Sequence, residues 1–447
     1  MRPLAQAVCV HCDPLNVNAQ RIELALAPLK AGAKRSASRD AIQGWYPYYA
    51  GYSLDFAETV LRAMALPSGA RVLDPWNGSG TTSFAAARLG LTGWGIDMNP
   101  VAITVARARL AHAADANGVR GFLRNTLRKR DLRGTFSRGD PLREWLPKAT
   151  VAEFRALQGE IVANFAAPEC GAPLWTTNDD FPPLASFLLL ALVRAAKSRV
   201  AARAMSNPTL FRPKTRNPSR SASGNLLDDW LSSLTAMAQS LASATWTTKD
   251  WRIVLGDARC LPVPAKSIDF VLTSPPYCTR LDYIDTTRFE LAALTPLTST
   301  ALLSLRRGLM GAPLVREREK PDPPDTWPDS VRNLLVKIRR HPSKASDSYY
   351  YKTYLQYFTD ASTSLSQIAR SMKTSSGAAL VVQSSYYKDV RVDLPSLYTD
   401  LARSCGLRST IAHDMSVRTV LASINPGTRN YRRNWDYRES VVFMWKD

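Results

Sequence analysis

From Thr273 to Tyr277 the chain reads TSPPY, directly behind the strand-like run SIDFVLT (267–273). Two consecutive prolines end any strand, because proline has no N–H to give to a ladder. They leave a stiff turn that offers carbonyl oxygens and no donors. Ser274 places a hydroxyl on one side of this turn, and Tyr277 places an aromatic ring on the other. Such a turn suits a flat ligand that presents N–H groups. Taken alone, the same residues would also serve as a plain strand-terminating turn.

Three other stretches change that balance. VLDPWNGSGTT (72–82) puts Asp74 at a strand end and then Pro75, Asn77, Gly78, Ser79, Gly80 and Thr81 in a turn before a helix. Glycines let a backbone approach a ligand closely, and a helix N-terminus favours a negative group. Asp74 would then face a cation, and an amino-acid-like ligand carries both charges. The second strand ends in Asp97 and Met98, and the acid is placed to accept two ribose hydroxyls. The third ends in GDA, where Asp257, beside Ala258, can accept from an exocyclic amine; Asp269 is a weaker competitor for that role. No G-x-G-x-x-G or G-x-x-x-x-G-K-[ST] spacing occurs, which disfavours a nicotinamide or nucleoside-triphosphate site.

Positioning these residues requires strands alternating with helices, hence an α/β Rossmann-like, doubly wound and mostly parallel sheet. The alternation runs through 45–110, stops over 111–250, and resumes over 251–447 around a second irregular stretch at about 293–347. The expected organisation is an N-terminal arm (1–44), a first half with the cofactor motifs, a large mainly helical insertion, and a second half with the catalytic turn. LASFLLLALV (184–193) is too short to span a bilayer and reads as a buried helix.

The combination of DPWNGSGTT, GIDMNP and TSPPY resembles the amino-group DNA methyltransferases, which use S-adenosylmethionine. The resemblance covers about 45–105 and 250–290 well, and 350–447 loosely. It implies the class I methyltransferase fold and a catalytic turn formed by Ser274, Pro275, Pro276 and Tyr277. It also implies that the aromatic stretch WYPYYAGYS, with Tyr46 and Tyr48, packs against the methionine end of the cofactor. The chemistry agrees. An exocyclic amine of cytosine or adenine is a poor nucleophile because its lone pair is delocalised. Ser274 Oγ and the Pro275 carbonyl can hold its two N–H groups and favour a more pyramidal nitrogen. Most of the gain then comes from orientation and fixed dipoles. The base must first leave the stack, and Tyr277 would stack on it. SPPY leans towards cytosine N4, with adenine N6 and RNA bases as alternatives. Carbon-5 chemistry is set aside, because no Pro-Cys dipeptide supplies a thiolate. The order of parts departs from the family in the length of the insertion between Asp97 and Asp257.

The chain has 447 residues, 58 Lys and Arg against 38 Asp and Glu, and a formal net charge of +20. That excess points to an anionic partner, with double-stranded DNA first. The run from Arg194 to Arg220 holds Arg194, Lys197, Arg199, Arg203, Arg212, Lys214, Arg216 and Arg220 without one acid, which favours phosphate contact. Arg280, just past the turn, is grouped with them. NPGTRNYRRNWDYR (425–438) interleaves arginines with aromatics, which suits a single strand or a flipped base. Six scattered cysteines argue for a reducing compartment; the Cys9–Cys12 pair lacks a second pair at zinc spacing, so no metal is expected. A cytoplasmic protein is expected, with a separate restriction or defence protein as a conceivable partner.

Overall fold

In a computed structural model of the chain, the described residues are 13–28, 41–47, 51–112, 119, 121–124, 126, 135–165, 181–200, 211–213, 224–242, 250–278, 282–294, 299–316, 321–417 and 436–447. Seven strands form one sheet. They are β1 (Arg71–Asp74), β2 (Thr92–Asp97), β3 (Trp251–Leu255), β4 (Ile268–Thr273), β5 (Met372–Gln383), β8 (Arg408–Val417) and β9 (Tyr437–Lys446). The order is β3-β2-β1-β4-β5-β9-β8, and a separate hairpin pairs β6 (Ser385–Tyr387) with β7 (Val390–Val392). β1 to β5 pair in parallel, while β9 runs antiparallel between β5 and β8. The winding reverses between β1 and β4, so the crevice at their carboxyl ends is the switch point where such sheets bind ligands.

The sequence explains why these pieces form. β1 and β4 carry buried Val72, Leu73, Phe270, Val271 and Leu272, the near-continuous apolar run of strands covered on both faces. Helix α1 spans Pro14–Leu26, α2 Leu54–Ala63, α3 Thr81–Arg88 and α4 Pro100–Arg109. At α4, Asn99 caps by accepting from the Val101 N–H, and Pro100 supplies a preset φ at the first turn. β2 carries Gly95 inside the strand because α3 and its preceding turn lie almost on the backbone. A Cβ built there would sit 2.4 Å from the Asn77 side chain. Arg107, buried on α4, donates to the Ile253 carbonyl at 3.0 and 2.5 Å and ties α4 to β3.

The insertion is helical as expected, and it shares the core of the sheet. Helices α5 (Lys148–Phe165), α6 (Pro183–Ser198) and α7 (Leu226–Ala242) pack on one another, and α6 packs on α4. Leu188, Leu192, Trp230 and Leu234 belong to the same apolar cluster as Val105, Phe84 and Phe270. The apolar run at 184–193 lies inside α6, and Trp230 Nε1 donates to the Leu188 carbonyl at 3.1 Å. No helix among the described residues is long and apolar enough to cross a membrane.

Within the expected N-terminal arm, α1 has Leu15, Ile22 and Leu26 buried, Asp13 accepts from Arg408 at 2.6 Å, and the helix packs on β8. β8 and the hairpin had no clear signal in the sequence. β8 is an edge strand that buries only some of its residues, and RSTIAHDMSV lacks the apolar continuity of the central strands.

Gly95→Ala should destabilise the protein by about 1–3 kcal/mol through overpacking against Asn77. Urea denaturation should show a lower midpoint with an unchanged slope.

Candidate active site

Asp74 stands at the end of β1, only 4% exposed. Thr273 Oγ1 of β4 donates to it at 2.5 Å, Thr82 Oγ1 of α3 at 2.6 Å, and the Trp76 N–H at 3.1 Å. Tyr52 Oη, just before α2, donates at 3.4 Å and also meets Thr82 Oγ1 and the Leu272 carbonyl. Burial pushes the Asp74 carboxyl up to about 6, against the pull of these donors. The expectation that Asp74 faces a cation is corrected here. Hydroxyl and amide donors take up its oxygens, and it pins both sides of the switch point together.

Asp97 ends β2 and accepts from the Gly78 N–H and the Asn99 N–H, both at 2.8 Å. Burial raises it to about 6 as well. A carboxylate has about four acceptor positions, so capacity remains for hydroxyls of a ligand. The turn before α3 is shaped for close approach. Gly78 and Gly80 have φ of 49° and 81°, and a Cβ on Gly80 would lie 2.6 Å from that of Ala106. No side chain caps α3, so its first N–H groups stay available at the helix N-terminus. Asn77 accepts from Ser83 Oγ at 2.7 Å, while its buried Nδ2 has no partner among the described residues. The acid at the end of β2, a glycine turn and a helix without a side-chain cap therefore fit a ligand with ribose hydroxyls and a carboxylate.

Other expected residues lie differently. Asp257 follows β3, but Arg259 takes both its oxygens, at 2.9 and 2.6 Å. Arg259 also reaches Asp360 at 3.0 Å, the Gly308 carbonyl at 2.7 Å and the Met98 sulfur at 3.8 Å. Asp257 would share any exocyclic amine with this arginine, and Ala258 beside it is buried. Asp269 faces away from the crevice, bound to the Arg71 N–H and Lys373 at the starts of the strands. Tyr46 is buried, with its carbonyl accepting from Arg109 at 3.3 Å; Tyr48 lies outside the described residues. Arg109 joins this segment to the glycine turn by donating to the Ser79 carbonyl at 2.8 Å and to the Gln43 carbonyl at 3.0 Å.

The SPPY turn follows Thr273 immediately, so the bond to Asp74 fixes its root. Tyr357 Oη donates to the Pro276 carbonyl at 2.8 Å. Among the described residues no donor reaches the Pro275 carbonyl. Ser274 is half-buried. Tyr277 is 9% exposed, and its hydroxyl donates to Glu439 on β9 at 3.2 Å. The ring is buried in the crevice wall and tied down at its hydroxyl. Glu439, Tyr52, Arg109 and Arg259 were missed in the sequence. Only Glu439 left a visible signal, as an acid just ahead of the apolar run of the closing strand.

The basic run does not form an open track where it is described. Arg194 donates to the Gly44 and Trp45 carbonyls, Lys197 pairs with buried Glu290, Arg199 binds Asp229 at 2.5 Å, and Arg212 pairs with Asp285. The partner acids come from α7 and from 285–290, which a linear reading of 194–220 leaves out. Arg203, Lys214, Arg216, Arg220 and Arg280 lie outside the described residues, as do Cys9, Cys12 and most of 425–438. No group of metal-ligating side chains occurs among the described residues.

Sheet order, the single reversed strand and acids at the ends of successive strands define the class I fold of S-adenosylmethionine-dependent methyltransferases. The chain is 38% identical over 61 residues to the type II methyltransferase M.BsoBI of Geobacillus stearothermophilus, a match spanning 14% of this chain and 12% of that protein. Two solved structures align over most of both chains. One is the rRNA methyltransferase aviRa of Streptomyces viridochromogenes (11% identity, 94% of this chain and 92% of that chain, TM-score 0.28). The other is a TehB-like SAM-dependent methyltransferase of Corynebacterium glutamicum (9% identity, 88% of each chain, TM-score 0.27). At these scores the superpositions carry no argument about activity. No protein-family model matches the chain.

The two raised carboxyls carry a pH signature. An unfolded aspartate titrates near about 3.9, so the native state binds more protons between about pH 4 and 6. Stability from these groups therefore rises as pH falls through that window. Between about pH 7 and about pH 5 the wild type should gain about 1 kcal/mol on Asp97→Asn in urea denaturation. A constant gap would mean that Asp97 stays ionised in the folded protein at both.

Proposed function

We propose that the protein is an S-adenosylmethionine-dependent methyltransferase that acts on the exocyclic amine of a base in DNA, with cytosine N4 as the target. The carrying observation is the TSPPY turn at the end of β4, rooted on Asp74 at the switch point, with the strand-end acid Asp97 on β2 at the other side of β1. S-adenosylmethionine supplies an electrophilic methyl group. The chain's own residues do the rest. Asp97 accepts ribose hydroxyls, the turn at Gly78–Gly80 and the α3 N-terminus receive the carboxylate end, and Ser274 Oγ with the Pro275 carbonyl orients the amine. Orientation in a dry crevice is the main source of rate.

Two observations support DNA as the substrate. The short match is to a type II methyltransferase. The 38 acids of the chain cannot neutralise its 58 bases, so a large positive excess stays available to phosphates whatever the internal pairing. The described part of the run at 194–220 is engaged inside the fold, and Arg203, Lys214, Arg216 and Arg220 of that run lie outside the described residues.

Incubation with labelled S-adenosylmethionine and duplex DNA, followed by nuclease digestion, should yield N4-methylcytosine. Labelled N6-methyladenine would move the target to adenine, label in RNA alone would move the substrate, and 5-methylcytosine would sink the mechanism. Arg109→Met should weaken cofactor binding in calorimetry by about tenfold or more, because the segment at 43–46 and the glycine turn lose their common anchor. Unchanged affinity would separate that anchor from the cofactor site.

A further inference from the structure

Glu439 is a carboxylate 1% exposed in the second turn of pleat of β9, opposite Gln383 at the carboxyl end of β5. The reversed direction of β9 is what brings the start of that strand to the crevice. Burying a carboxylate is expensive unless donors meet it, and Tyr277 Oη meets it at 3.2 Å. Tyr277 Oη in turn accepts from Ser274 Oγ at 3.4 Å. All hydroxyl protons therefore point one way, from Ser274 through Tyr277 to Glu439. Both contacts are long against the usual hydroxyl separation of about 2.7–2.8 Å, and catalytic hydrogen bonds commonly tighten once a ligand is seated.

We propose that Ser274, Tyr277 and Glu439 form a one-directional hydrogen-bond relay that keeps Ser274 Oγ an acceptor for the target amine and carries the amine proton to a buried carboxylate. The proposal rests on the amino-methyltransferase reading above. Ser274 has spent its own proton on Tyr277, so its lone pairs are left for the amine N–H. In the reaction the amine lone pair forms the new N–C bond while the donor's S–C bond breaks, its electron pair staying on sulfur. One N–H bond then breaks. Its proton goes to Ser274 Oγ as the Ser274 proton passes to Tyr277 Oη and the Tyr277 proton to Glu439. The positive charge of the sulfonium and the negative charge of Glu439 vanish together. Glu439 is thus a positioning residue, acting through Tyr277.

The geometry also explains the tyrosine. Burial lifts its phenol well above the ordinary value and the Glu439 charge adds to the lift. It thus stays protonated as a conduit and does not ionise. Among the described residues, Tyr283, on the short helix Tyr283–Thr286, and Tyr52 before α2 are further ionisable groups that act on it.

The test uses the full chain and a duplex that the wild type methylates. A wild type that transfers methyl to no exocyclic amine overturns the functional reading, and the relay with it. Given wild-type transfer, Tyr277→Phe and Glu439→Gln should each slow single-turnover methylation by about a hundredfold. The double variant should be no slower than the slower single, because both cut one chain. Dissociation constants for duplex and cofactor should stay within about twofold, which a merely structural role would not predict. In the cofactor-free protein with ¹³C-labelled tyrosine, the resonance missing from Tyr277→Phe identifies Tyr277, and in Glu439→Gln it should ionise at lower pH. Rates within about threefold of wild type, multiplying defects, or an unmoved Tyr277 titration would each overturn the relay alone. Tyr277→Phe reads the same link should Glu439→Gln fail to fold.

Discussion

The bond from Thr273 Oγ1 to Asp74 is the constraint on which the site depends. The connections that leave the carboxyl ends of β1 and β4 part company, because the sheet winds outward in opposite directions from that pair. Something must hold the two ends at a defined spacing, since the glycine turn leaves one and the proline turn leaves the other. A buried carboxylate can do so because it accepts from several directions at once. Thr273 comes from β4, Thr82 from α3, Trp76 from the turn and Tyr52 from the entry to α2. Hydrogen bonds to a charged group contribute more than neutral ones, roughly 1.5–3 kcal/mol each. They offset a desolvation cost that is visible in the raised carboxyl. The result is a rigid frame with a charge inside it, which is how orientation can replace a strong base.

The same logic recurs around the crevice. Asp97 is held by two backbone N–H groups, Asp360 by Arg259 and Arg316, and Glu439 by Tyr277. Each acid is buried or half-buried at the carboxyl end of the sheet, and each is met by a donor from a different element. Arg259 links the ends of β2 and β3 to the helix Tyr351–Ser371 and to the segment at 308, so part of the second irregular stretch packs against those strand ends. Gly308 marks how near it comes, since a Cβ there would lie 3.0 Å from the Met98 methyl.

The large insertion has a double character. Its helices extend the core beyond α4, and its basic residues anchor neighbouring segments. Arg194 holds 44–45, Lys197 holds Glu290 while lying over the Phe211 ring, and Arg155 holds Asp140 together with the Ala292 and Ala293 carbonyls. Arginine suits this work because its fork satisfies several carbonyls from one buried stem. Basic residues of a stretch without acids along the chain can therefore find their acids in space, as Lys197, Arg199 and Arg212 do, and local charge density is a poor guide to a phosphate track.

What could be read from the chain alone was local. Strand, glycine turn and helix at 71–88, the acid ending β2, and the proline turn after β4 each carry their cause within ten or twenty residues. Proline removes donors, glycine permits positive φ, and a capped helix needs Asn99 beside it. Those rules named Asp74, Asp97 and Ser274, and with the order of strands they yielded the fold. The partners of those residues could not be read, because pairing across the sheet spans long separations. Thr273 meets Asp74 199 residues away, Tyr277 meets Glu439 162 away, and Arg155 meets Ala293 138 away. Only the packed structure decided that Asp74 is a clamp filled by hydroxyls, that Tyr277 is tied down, and that four expected phosphate ligands are internal anchors. Local sequence sets which conformations and functional groups are available. Burial, and the need of every buried polar group for a partner, decides which groups meet.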